Sequence, residues 1–79
     1  MEILVKLHYV LRTYAPGRDF KRPFALTLAK GAVLGEVIRA LELPNDQEFL
    51  LFVGSRHAVR DQVLVEGDTV TILPPIIGG

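Results

Sequence analysis

Seventy-nine residues make room for one domain, which at this size buries roughly 60 to 65% of the surface of its unfolded chain, and leave none for a second. Hydrophobic residues are 49% of the chain and charged ones 23%, which excludes the apolar-poor composition of a disordered segment. Nine Lys and Arg against nine Asp and Glu leave no net field to draw the protein to nucleic acid or an anionic membrane, and no cysteine is present for a disulfide or a thiolate metal site.

The lack of cysteine is in keeping with a reducing cytoplasm, the expected location. No basic head precedes an apolar run at the N-terminus, and no stretch reaches about 18 apolar residues. Neither a signal peptide nor a membrane span is expected, and the mature protein is expected to begin near Met1.

In chain order, EILVKLHYVLR puts Ile3, Val5, Leu7, Tyr9 and Leu11 on one face and Leu4, Lys6, His8, Val10 and Arg12 on the other. That alternation predicts a long first strand with one apolar side. Thr13 to Arg22, with Pro16, Gly17 and mixed charges, reads as a turn or loop. PFALTLA, with Phe24, Leu26 and Leu28 spaced by two, predicts a second strand.

The period then changes. Leu34, Val37, Ile38 and Leu41 form one helical stripe, which Pro44 is expected to close. Ala32 and Val33 stand where a capping hydroxyl or carboxylate is usual, so the helix start is expected to fray. FLLFV predicts a strand covered on much of both sides, and Gly54-Ser55 a hairpin turn whose first position suits glycine, with HAVRD as the returning strand. After the turn Glu66-Gly67-Asp68, the last strand sends Val70 and Ile72 one way and Thr69, Thr71 and Leu73 the other.

Strand, strand, helix, strand, short strand, strand is the order of an α+β domain. The first and last strands lie side by side in a mixed sheet of about five, with one main helix packed across it. This is the ubiquitin-like β-grasp architecture. Residues 1–73 are expected to form the domain and 74–79 an extended flexible tail.

Side-chain chemistry is sparse. His8 and His57 are the only histidines, with no neighbours at zinc-ligand spacing, so no metal site is expected. Ser55, the only serine, lacks a nucleophile-elbow context, and KGAVLG lacks the Lys-Ser/Thr ending of a phosphate loop. Arg12, Arg18, Lys21 and Arg22 read as a solvated loop, while Arg56, His57 and Arg60 form a small basic group near the hairpin.

The tail LPPIIGG is more telling. Pro74 and Pro75 lack N–H groups and fix φ, so the strand must stop and the chain leave extended. From Pro75 to Gly79 it spans on the order of 15 Å at about 3.3 Å per residue. Ile76 and Ile77 could each contribute about 1.5 to 3 kcal/mol of gross burial in a partner's channel. Gly78 and Gly79, without Cβ atoms, form a narrow tip that presents the Gly79 carboxylate.

The chain resembles the MoaD/ThiS sulfur-carrier family over essentially its whole length: VKLHYVLRTYAP at the start, GAVLGEVIRAL on the helix, the VGSRHAVRD hairpin and VLVEGDTVTILPPIIGG at the end. The EGD turn, alternating strand, Pro pair and terminal Gly-Gly are closest to the molybdopterin synthase small subunit. Departures are Gly54-Ser55 where Asn-Gly is usual, Val33 where Thr is usual, Leu73 in place of an exposed aromatic, and His8 in place of an apolar residue.

The resemblance implies a carrier that is not catalytic alone and binds no cofactor itself. An E1-like enzyme would adenylate Gly79 with ATP, a persulfide-bearing sulfur donor enzyme would convert the adenylate to a thiocarboxylate, and a larger synthase subunit would pass the sulfur to a pterin precursor. Gly78, Ile77, Ile76, Pro75 and Pro74 would lie in the partner's channel. Leu73, His8, His57, Arg56 and Arg60 are the candidate docking surface, and the free chain is expected to be a monomer. A ubiquitin-like modifier joined through Gly79 to lysine, a thiamine-pathway carrier and a β-grasp regulatory or RNA-binding module are the alternatives.

Overall fold

The structure is a computed structural model that describes residues 1–8, 11, 23–44 and 47–75. The expected loop at 13–22, with its basic cluster, and residues 76–79 lie outside the described residues. Five strands and a helix follow in the expected order: β1 (Glu2–Leu7), β2 (Phe24–Thr27), α1 (Leu34–Ala40), β3 (Leu50–Val53), β4 (Arg56–Ala58) and β5 (Thr69–Leu73). The sheet order is β2-β1-β5-β3-β4, with β1 and β5 parallel and every other pair antiparallel.

Alternation decides which face packs. Ile3, Val5, Val70 and Ile72 are fully buried on the same side of the sheet, against Leu34, Val37 and Ile38 of α1. Each such side chain contributes about 1.5 to 3 kcal/mol of gross burial. No polar or charged residue is buried among the described ones.

β1 is shorter than the alternation predicts. It ends at Leu7, and the Leu11 N–H donates to the His8 carbonyl at 3.2 Å. Leu11 still reaches the core, 2% exposed, although it stands outside β1.

The helix start also departs from expectation. Val33 makes no side-chain cap, yet the Leu34 and Gly35 N–H groups donate to the Gln62 and Arg60 carbonyls at 2.8 and 2.9 Å, and Val33 bridges Val63. A distant stretch of backbone thus does the work of a capping side chain, removing the cause of fraying.

Nor does Pro44 stop the helix. Glu42 adopts the left-handed region at φ 58°, its N–H donates to the Arg39 carbonyl, and the Leu43 N–H donates to the Ile38 carbonyl. This is a Schellman motif ending at Leu41, accompanied by burial of both Ile38 and Leu43.

The β3–β4 turn has φ 60° at Gly54 and no positive φ at Ser55, the pattern of a type II′ hairpin. β3 is not covered on both sides. Leu51 is buried, but Leu50 and Phe52 are half-buried on the face away from α1. Among the described residues α1 is the one helix, and it packs on one side of the sheet.

Candidate functional site

The site is built where β5 hands the chain to its C-terminal residues. β5 is held between two neighbours, Leu7 of β1 opposite Ile72 on one side and Leu50 of β3 opposite Leu73 on the other. The His8 N–H adds a bond to the Ile72 carbonyl at 3.2 Å. Pro74 and Pro75 follow, half-buried and outside any strand.

The start of β5 is latched as firmly. Gly67, at φ 85°, donates its N–H to the Glu2 carbonyl, while a Glu66 carboxylate oxygen accepts from the Glu2 N–H at 3.0 Å. Asp68 Oδ2 accepts from the Val65 N–H at 2.9 Å, and the Asp68 N–H returns to the Val65 carbonyl. The EGD block therefore sets the register of β5 against β1, and β5 ends at Leu73.

The register divides the expected docking residues between the two sides of the sheet. The His8 N–H bond to the Ile72 carbonyl carries the β1–β5 register one residue past Leu7, which sets His8 beside Leu73 on the face away from α1, and Leu50 lies across from Leu73 on β3. His57 shares that face on β4, opposite Phe52, the two rings meeting edge to face at 5.5 Å and 81°. Three strand spacings of about 4.8 Å separate β1 from β4, so His8 and His57 do not converge. Among the described residues no three His, Cys, Asp or Glu gather as a metal site.

Arg56 and Arg60 belong elsewhere. Arg56 is opposite Val53, with the parity of buried Ala58, which puts it on the helix side of the hairpin. Arg60 donates from Nη2 to the Gln47 carbonyl at 2.8 Å and sets its guanidinium 5.9 Å from the Phe49 ring centroid. With its own carbonyl bound by the Gly35 N–H, Arg60 serves the helix start. The basic group that looks continuous in the sequence is divided by strand parity.

Three residues join the open face that the motifs did not single out: Leu4, 40% exposed, and half-buried Leu50 and Phe52. The available signal was parity with Leu51, the inward residue of an almost wholly apolar strand. Leu50, Phe52 and Leu73 are neighbours across β3 and β5, while Leu4 lies at the far end of the face beside Thr69, with Lys6 and Thr71 between. Gly78, Gly79, Ile76 and Ile77 lie outside the described residues.

The family model described as the ThiS family matches residues 14–79. Among solved structures, SAMP1 from Haloferax volcanii is similar at 19% identity and TM-score 0.74, with 100% of both chains covered. A putative molybdopterin converting factor subunit 1 from Pyrococcus furiosus is similar at 20% identity and TM-score 0.74, covering 96% of this chain and 99% of that one. A ubiquitin from Caldiarchaeum subterraneum is similar at 20% identity and TM-score 0.58, over 100% of this chain and 98% of that one. At these identities the likeness is one of fold, the ubiquitin-like β-grasp. Comparison with curated proteins gives no match.

Proposed function

The chain belongs to the ThiS family, and from that premise we propose that it is a sulfur carrier working through the Gly79 carboxylate, most closely fitted to molybdopterin biosynthesis. The observation that carries this reading is the extent of the family match, which runs to residue 79 and so takes in Pro74 to Gly79. The ending of β5 at Leu73, beside Leu50 on the face away from α1 and directly before the Pro pair, supports it. The molybdopterin assignment rests on the EGD turn, the Pro pair and the terminal Gly-Gly read together.

The terminal carboxylate is an anion at neutral pH and a poor electrophile. In an E1-like partner its oxygen attacks the α-phosphorus of ATP, pyrophosphate leaves, and an acyl-adenylate results. The terminal sulfur of a donor enzyme's persulfide then attacks the acyl carbon and AMP departs, leaving an acyl disulfide. A partner thiolate attacks the donor-side sulfur and releases the thiocarboxylate, while the partners retain a disulfide. Every thiol in the sequence is a partner's, since this chain has no cysteine. A larger synthase subunit would then take the sulfur for a pterin precursor.

Incubation with ATP, the activating enzyme and a persulfide donor, followed by intact-mass spectrometry, tests the proposal. An oxygen-to-sulfur shift on the C-terminal peptide is expected, and removing Gly79 should abolish it. An adenylated terminus that gains no sulfur and instead appears on lysines of other proteins would favour the modifier reading; the Haloferax volcanii protein of similar fold is a small archaeal modifier protein. Full function without Gly79 would sink both and favour a regulatory or RNA-binding module.

A further inference from the structure

Two rows of side chains cross the strands on the face away from α1. One is Lys6 on β1, Thr71 on β5, Phe52 on β3 and His57 on β4, each opposite the next. The other is His8, Leu73 and Leu50, set by the His8 N–H bond to Ile72 and by the β3–β5 register. The apolar residues Leu50, Phe52 and Leu73 therefore hold the middle strands, with Lys6 and His8 on one flank and His57 on the other. Neither row contains a carboxylate: Glu2 stands at the start of β1 and Glu48 precedes β3.

Lys6 decides what this face accepts. It is exposed, and among the described residues the one salt bridge is Arg39 with Glu36, so no described carboxylate of its own chain pairs with it. A partner covering about 800 Å² of a chain makes a footprint roughly 30 Å across. Lys6 lies two strands from Phe52, about 10 Å, so a partner seated on Leu50, Phe52 and Leu73 takes Lys6 beneath it. Against an apolar surface the ammonium loses its water with nothing in return, and against a basic surface it is repelled. A facing carboxylate removes both costs. Nine cations against nine anions leave the chain no net field, so any steering of the encounter is local as well.

On the basis of the sulfur-carrier reading, we propose that the enzyme that adenylates Gly79 meets this face with an apolar ridge edged by carboxylates, one of them opposite Lys6. That enzyme comes up to these rows because Leu73 directly precedes the Pro pair that leads to the terminus. The ridge covers Leu50, Phe52 and Leu73, and its edges lie about 14 Å apart, the three strand spacings from β1 to β4. At the second edge His57 presents an imidazole N–H donor.

Calorimetric titration of the full chain with the activating enzyme tests this, with ATP–pyrophosphate exchange followed on the same samples. Raising salt from about 50 to about 500 mM should weaken wild-type binding about fivefold or more. Lys6→Glu, on a chain whose circular dichroism is that of the wild type, should weaken it about tenfold or more at low salt, while Lys6→Arg should hold it within about twofold. Lys30→Glu, the same charge change placed after β2 and outside both rows, should leave binding unchanged. Unchanged affinity of Lys6→Glu, or an equal loss from Lys30→Glu, would overturn the acidic partner surface, and with adenylation intact the carrier reading would stand. A wild-type chain neither bound nor adenylated would overturn both.

Discussion

The two faces of the sheet share a backbone and differ in almost everything else. On the helix side Ile3, Val5, Val70 and Ile72 are completely buried, and α1 presses Leu34, Val37 and Ile38 onto them. On the other side Leu4, His8, Phe52, His57 and Leu73 stand in residues that alternate with those, with no second layer among the described residues. Among the described residues the fully buried side chains are on the first face, and the proposed docking residue Leu73 is on the second. Substitution of adjacent residues on one strand should therefore give opposite kinds of defect.

The largest stability effect is expected from Ile72→Ala. It removes a fully buried side chain from the central strand and should cost about 2 to 5 kcal/mol in chemical denaturation. Its neighbour Leu73 points the other way, so Leu73→Asp should cost the domain no more than about 1 kcal/mol. The same change should weaken binding to the activating enzyme tenfold or more, measured by calorimetric titration, and unchanged affinity would remove Leu73 from the docking surface.

Smaller effects test the devices that hold the two faces in register. Gly54→Ala puts a Cβ at φ 60° with open space around it, so the backbone alone resists, and a loss of about 1 kcal/mol is expected. Glu42→Gly relieves the left-handed position that ends α1 and should raise stability by about 0.5 kcal/mol, after the greater freedom of glycine in the unfolded chain is offset. Thermal melts on the same preparation would rank both against Ile72→Ala.

Much of this was legible beforehand. Alternation along Glu2–Leu7 and Thr69–Leu73 and the Leu34, Val37, Ile38 stripe are local periodicities, and they name the buried face correctly. The EGD turn and the Pro pair likewise mark where β5 begins and ends. The length of β1 was less accessible, since the pattern through Leu11 is the same whether β1 continues to that residue or ends at Leu7.

The docking residues show a similar limit. Arg56, His57 and Arg60 are close in the chain, but the β3–β4 register sends Arg56 and His57 to opposite sides, and Gln47 and Phe49 hold Arg60.

By itself, then, the sequence determined which residues bury, the order of elements, and a terminus built from two prolines, two isoleucines and two glycines. These depend on side-chain size, polarity and spacing along one chain. Only the tertiary structure decided how the helix start is completed and which face each histidine and arginine joins. Those outcomes depend on hydrogen bonds such as Leu34 to Gln62 and on register between strands far apart in sequence, where a shift of one residue reverses every side chain.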